Sequence, residues 1–416
     1  MVKYIQFGEY NKKYNFIFLS IVFGILVDYI PLLIVTLLFK ENGEKILELY
    51  DHLCIIQIIL MLGMLVFSCI LNKYESKVSK KESNVDNINS INSDKGCYND
   101  IIISEKNKSK INNKKNLLNI LIIIFIIIIV GKFIEIMDPL KIFSYSMLVL
   151  LITSFINTKM FNIKIYKHQK CAIAFNFIVL LIFELSSFIL SMTSKGDSDK
   201  NIYKQNIWLI PIGLIFYLLN VIVYSYTYSK IKKFMDLNWI SLSQLLIYFS
   251  LVIVLINIIF SVLFTFIRCG ENQNNFCNLE EEGIYYYESF IIFFKKVSII
   301  YRDENKFYFI FTIFLFFFHS FILFIYNIFA LSILKNLYPE YYYFTDSIQE
   351  TFIKILFLFN NKIFEGYYFV KEEEDYKLPL IKFILDIIGN SLVIIGFLIY
   401  LEIIELNFCG FNYNLR

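Results

Sequence analysis

Residues 307–334 read FYFIFTIFLFFFHSFILFIYNIFALSIL, a run with no charged side chain other than the histidine at 319. A hydrocarbon layer about 30 Å thick is crossed by roughly 20 apolar residues in a helix, so this run is long enough to span one. Comparable stretches lie at 15–39, 52–72, 117–137, 139–158, 170–193, 207–229, 239–267, 342–363 and 380–405. Apolar residues make up 57% of the chain and charged residues 18%, with 45 Phe and 30 Tyr against 14 Gly and 5 Pro. The mean hydropathy is +0.60. A water-soluble fold has no interior for so many large apolar side chains, so the chain is predicted to be an all-α integral membrane protein of about ten transmembrane helices. The run 15–39 exceeds a signal-peptide core and lacks a small-residue cleavage site, so it is expected to persist as a helix. The weakest span is 342–363, whose Asp346, Glu350 and Lys354 would also suit a helix lying along the interface. The stretch 284–301, IYYYESFIIFFKKVSIIY, is predicted to be an interfacial helix, because a lysine pair is costly at the bilayer centre.

The remaining sequence excludes several classes. Net charge is only +3, and the lysines are spread among loops, which argues against a nucleic-acid partner. His52, His168 and His319 stand far apart, and no CxxC or HExxH is present, so neither a metal nor a cofactor is expected. Cys54, Cys69, Cys171 and Cys409 fall in or beside apolar runs and read as small hydrophobes. Cys269 and Cys277, eight residues apart in one hydrophilic connection, are the candidate disulfide. The segment 73–115 is rich in Lys, Ser and Asn and is expected to be a disordered loop.

Orientation follows from the basic residues of the short connections. Lys159, Lys164, Lys167 and Lys170 lie in one, and Lys230, Lys232 and Lys233 in another. The positive-inside rule then puts both termini and these loops in the cytosol. On that arrangement Cys269 and Cys277 face the oxidising side, while the sequon at Asn107 faces the cytosol, unused. The chain divides into 1–193, with the loop 73–115, and 207–416, with the lumenal loop and interfacial helix at 268–305. Five spans in each half make the halves inverted repeats, a common construction of carriers that hold their substrate between the halves.

Short motifs bear on this plan. A basic link, KMFNIKIYKHQK (159–170), opens the fifth span with Gln169 just before the helix. The sixth span leaves through GLIFYLLNVIVYSYTYSKIKKFMD (213–236), where Phe234 separates Lys233 from Met235, and SLSQLL (241–246) follows. In these features and its span number the chain resembles the drug/metabolite transporter superfamily, especially its nucleotide-sugar-transporter-like branch. The Cys269/Cys277 loop with its interfacial segment is similar to that of the chloroquine-resistance-transporter branch, which has more cysteines there. A dibasic nucleotide-sugar motif at the last helices is absent. The resemblance implies a solute carrier in an endomembrane (Golgi, ER or vacuole) or the plasma membrane. Its expected partners are a small-molecule solute, the bilayer and a second copy in a homodimer.

Ionisable groups inside spans are costly and read as functional by default. Asp28, followed by Tyr29 and Pro31, marks a bent first helix; Glu184 sits mid-span beside Ser186 and Ser187 as a proton or substrate-amine site. Lys132 with Glu135 and Lys382 with Asp386 are spaced to neutralise one another along a helix face, or to meet an anionic solute if a lysine faces a cavity. His319 offers a proton shuttle. No GxxxxGK[ST] is present, so a carrier of this sequence would be secondary-active, driven by a gradient or by exchange of a nucleotide sugar, phosphorylated metabolite, amino acid or drug-like solute. The competing readings are a polytopic receptor or sensor and an intramembrane lipid acyltransferase using His319. The first lacks a sizeable soluble domain and the second lacks a companion motif, so the chain reads as a non-enzymatic carrier.

Overall fold

The computed structural model describes residues 15–29, 49, 52–89, 145–162, 164–193, 209–237, 241–266, 268–270, 279–281, 284–286, 288–303, 306–359, 377–401 and 403–404, with isolated helical positions at 122, 125, 126 and 129. Helix α1 is Asn15–Tyr29. It is followed by α2 (Leu53–Asn89), α3 (Tyr145–Phe161), α4 (Lys167–Thr193), α5 (Leu209–Leu237) and α6 (Leu242–Thr265). Strands β1 (Arg268–Gly270), β2 (Leu279–Glu281) and β3 (Ile284–Tyr286) lead to α7 (Phe290–Asp303), α8 (Lys306–Asn336), α9 (Pro339–Phe359) and α10 (Lys377–Tyr400). Every predicted span carries a helix except 117–137, which lies outside the described residues apart from those four positions. Three helices, over Cys54–Lys77, Leu242–Thr265 and Lys306–Asn336, are long and apolar enough to cross a membrane.

The outer surface fits that medium. Phe18, Leu255, Phe307, Ile310 and Ile222 are all exposed, in an array of apolar side chains far larger than a soluble protein shows to water. Hydroxyls turn back onto their own helices: Ser68, Ser154, Ser250, Ser320 and Ser347 each donate to the carbonyl four residues earlier, which satisfies them without water.

Local chemistry sets the helix ends. After α3 the chain turns through Asn162 in the left-handed region (φ 55°), a conformation asparagine tolerates at a helix C-terminus. The Tyr166 N–H then donates to Gln169 Oε1 at 3.0 Å, half of a capping box opening α4. Ser241 caps α6 by accepting from Gln244 N–H at 3.3 Å. Pro339 starts α9, where its missing N–H costs nothing.

Two expectations need correction. Helix α2 does not stop at the end of the predicted span, residue 72, but continues to Asn89, so part of the expected loop 73–115 is helical. No Gly or Pro interrupts 73–89, and the extension docks on α6 where Ser243 Oγ donates to Glu75 Oε2 at 2.6 Å. The stretch 284–301 is not one helix: β3 occupies its start, paired antiparallel to both β1 and β2, and only Phe290–Asp303 is helical. At 14 residues, about 21 Å, α7 is too short to be a further span. It contacts α6 and α8, and its Phe293 and Ile300 join a buried cluster with Ile55, Ile56 and Leu60 of α2 and Phe316 of α8.

Packing is most extensive between α2 and α6 and between α4 and α10; α3 also contacts α4, α5 and α9, and α9 contacts α10. Gly63 of α2 lets α8 come close, since a Cβ there would meet Ser320 Cβ at 2.5 Å. Contacts at the helix ends collect at two poles. At the first, Lys233 Nζ reaches Met160 O, Lys232 Nζ reaches Lys335 O, Tyr400 reaches Glu340, and Ser243 reaches Glu75. At the opposite pole Cys54 N–H donates to Glu288 and Phe290 N–H to Thr265 Oγ1.

Candidate functional site

A gathering of polar groups among the described residues belongs to α1, α5, α8 and α9. Five tyrosines form it. Tyr228 Oη lies 3.2 Å from Tyr224 Oη and 3.1 Å from Tyr342 Oη, and the Tyr228 and Tyr342 rings stack with centroids 4.5 Å apart. Tyr343 packs edge-on against Tyr228, and Tyr326 of α8 stands within electrostatic reach of Tyr228 and Asp346. Stacked rings with linked hydroxyls present a row of oxygens to one side and aromatic faces to the other.

Carboxylates adjoin this row. Gln349 Nε2 donates to Asp28 Oδ2 at 2.8 Å, joining α1 to α9. Gly24, one turn before Asp28, leaves the room that the Gln349 side chain fills. Asp346 and Glu350 flank Gln349 on α9 at helical spacing. Asp346 interacts electrostatically with both Asp28 and Glu350, and Tyr326 with both Asp346 and Asp28. Lys354 pairs with Glu350 at 2.8 Å, whereas Asp346 has no ion pair among the described residues. Among the described residues, three carboxylates and one lysine leave the site net negative. Its chemistry suits a cation: carboxylate oxygens and phenolic hydroxyls to accept, and ring faces to stack under a positive group.

Of the residues singled out in the sequence, Asp28 belongs to this cluster. His319 is buried on α8, seven residues and about 10 Å of helix rise from Tyr326. Glu184 lies on α4 and Lys382 and Asp386 on α10, where their side chains are outside the described set. Lys132, Glu135 and Cys277 also lie outside it, and Cys269 is described only as backbone of β1. No group of three His, Cys, Asp or Glu side chains suited to a metal stands together among the described residues.

Two further polar centres escaped the sequence reading. At the first pole Tyr400 Oη donates to Glu340 Oε1 at 3.2 Å, and Ser229 Oγ donates to Asn157 Oδ1 at 2.7 Å. Asn157 stands beside the Glu340 carboxyl, but its Nδ2 and Glu340 Oε2 are both without a hydrogen-bond partner among the described residues. Glu340 is 4% exposed and precedes the apolar stretch 342–363. Burial pushes its carboxyl pKa up, while the Asn157 amide beside it, its own backbone and the Tyr400 hydroxyl act the other way. Lost hydration costs a buried carboxylate several kcal/mol. Each bond to the ionised form returns about 1.5–3 kcal/mol, and a helix first turn up to ~2. Burial is the larger contribution, so the net shift is upward. Its position directly after Pro339 reads in sequence as a simple helix start, which hid it.

At the opposite pole Glu288 Oε2 accepts from Cys54 N–H at 3.1 Å, and its Oε1 lies 3.6 Å from His52 Nδ1. Both side chains are buried, with Phe293 edge-on to His52. Glu288 therefore caps the start of α2 from 234 residues away, on the positive end of the helix dipole. No local pattern announces a cap supplied from so far along the chain.

No protein-family model matches this chain, and no curated protein matches it.

Proposed function

We propose that the chain is a secondary-active carrier that moves a small polar solute by alternating access, with the carboxylate–tyrosine cluster of α1, α5, α8 and α9 as its solute site. The observation that carries this reading is the hydroxyl-flanked cluster of Asp28, Asp346 and Glu350, net negative among the described residues, with Asp28 exposed and Asp346 and Glu350 half-buried in a helical bundle whose outer surface is apolar. Such a concentration of charge in a lipid-facing bundle is costly unless it has a task. Its sign favours a cationic or zwitterionic amine over the phosphorylated solutes of nucleotide-sugar carriers.

The proposed architecture is ten spans in two inverted repeats, with span 117–137 completing the set. The packing supports it. Counting spans from the N-terminus, α2 and α6 are the second and seventh, α4 and α10 the fifth and tenth, and α3 and α9 the fourth and ninth. Each helix of these pairs contacts its own counterpart, as a two-fold relation between the halves requires, and α3–α4 contact is matched by α9–α10. The contacts at the ends support alternating sidedness, since every pair joined at the first pole belongs to the side proposed as cytosolic.

Counterflow in proteoliposomes tests the function, with labelled arginine, a polyamine, a quaternary ammonium and a sugar phosphate as probes. The expected result is saturable, trans-stimulated uptake of one of the cationic probes, reduced at least tenfold in Asp346→Asn and retained in Asp346→Glu. Folded protein that exchanges none of them, or an Asp346→Asn variant that exchanges normally, refutes the proposal.

A further inference from the structure

We propose that Lys354 is a tethered stand-in for the cationic solute: its ammonium holds Glu350 until an incoming ammonium group displaces it. The inference deepens the carrier reading and rests on it for the solute site, whereas the displacement is a binding event that needs no transport. Lys354 Nζ lies 2.8 Å from Glu350 Oε1, four residues away on α9, with the lysine side chain 16% exposed and the glutamate 39%. Asp346 stands one turn before Glu350, so the three residues follow one another at four-residue steps along one side of the helix. Asp346 interacts electrostatically with Glu350 and with Asp28, which Gln349 ties to the same helix at 2.8 Å. The lysine therefore makes, from inside the chain, the contact that the cluster offers to a positive group from outside.

An ion pair between neighbours on one helix, with its carboxylate partly exposed, is weak enough to be exchanged. The solute class that exchanges it best carries two ammonium groups. One sits at Asp346, which lies within electrostatic reach of Tyr228 and Tyr342, whose rings stack. The next reaches Glu350, about 6 Å along the helix face. A polyamine thus displaces Lys354 while adding the contacts at Asp346. The displaced lysine stays attached to α9 and returns to Glu350 when the solute leaves, so the emptied site keeps a counter-charge. Closing an apolar bundle over three uncompensated carboxylates is costly. Lys354 lowers that cost and lets the empty carrier reset.

The test titrates the full chain in lipid nanodiscs with spermidine and reads binding by calorimetry. Lys354→Met should tighten the Kd about fivefold, the upper range for releasing a partly exposed ion pair, and Lys354→Arg, which keeps the charge, should stay near the native value. In a Glu350→Gln background the gain from Lys354→Met should vanish. A gain that persists there means that the lysine acts through space by its charge and overturns the displacement, as does an unchanged Kd in Lys354→Met. A folded chain that binds no spermidine, with or without Lys354, overturns both the inference and the solute class. A second arm needs no variant and decides the matter if Lys354→Met does not fold. Acetylation of Lys354 by acetic anhydride, read by mass spectrometry, should rise severalfold with saturating tetramethylene-bis(trimethylammonium), which has no amine to consume the reagent; no rise, or protection, overturns the inference. In proteoliposomes, net spermidine uptake relative to exchange should fall severalfold in Lys354→Met, and an unchanged ratio refutes the resetting role. A native chain that shows the binding results yet exchanges no probe refutes the carrier reading alone. One that exchanges while both Lys354 arms fail refutes this inference alone.

Discussion

Replacing Glu288 with alanine should destabilise the chain by about 3 kcal/mol. The carboxylate makes two contacts, one to the Cys54 amide at 3.1 Å and one to His52 at 3.6 Å. The first is a bond from a helix-terminal N–H to a charged acceptor, worth about 1.5–3 kcal/mol when buried. The second exceeds hydrogen-bond length and adds little, so the estimate is the upper end of the first. Alanine leaves both the amide and the imidazole without this partner at positions 0% exposed. Glutamine keeps an acceptor for the Cys54 amide and removes only the charge, so Glu288→Gln should cost about 1 kcal/mol. The assay is reversible unfolding of the full chain in mixed micelles by titration with a denaturing detergent, run on both variants and on His52→Ala. The His52→Ala and Glu288→Ala effects should fall short of additivity by about 1 kcal/mol in the double variant. An alanine effect under about 0.5 kcal/mol, or a glutamine effect equal to it, would refute the reasoning that a distant acceptor caps α2.

Gly63→Val should destabilise by about 1–3 kcal/mol in the same titration, because the new side chain meets Ser320 Cβ at 2.5 Å and α2 and α8 must separate; full stability would mean that this crossing is not close. Glu75→Ala removes the acceptor that Ser243 Oγ reaches at 2.6 Å, and hydrogen exchange over 73–89 should rise severalfold while that over 53–70 stays constant. Unchanged protection in that segment would show that the α2 extension does not depend on α6.

Much of the fold was legible because its signal is local. Apolar length marks the helices, Ser241 with Gln244 opens α6, and Pro339 opens α9. The charges on 342–363 were a different matter. Asp346, Glu350 and Lys354 weakened that stretch as a span in sequence, yet Tyr342, Tyr343, Phe344 and Ser347 of α9 are buried and the charges stand at the candidate site. The i, i+3 and i+4 spacing of Asp346, Gln349 and Glu350 was visible all along; a span penalised for its charges is also a span with a reason to carry them. Aromatic residues are so frequent that a tyrosine stripe carries no signal in the sequence; Tyr224 is visible there only as one in-span hydroxyl in need of a partner, and the packing alone joins it to Tyr228 and Tyr342.

The sequence alone therefore determined the apolar helices, three of them among the described residues long enough to cross a membrane, since hydropathy and backbone hydrogen bonding act within a few residues of one another. Tertiary structure decided which polar groups meet. Gln349 finds Asp28 across 321 positions, Cys54 finds Glu288 across 234, and Tyr400 finds Glu340 across 60. Apolar contact is non-directional and lets helices pack in many ways, whereas a buried carboxylate needs a donor within about 3 Å in one direction. Those bonds form only after particular helices have come together, so no window of sequence contains them.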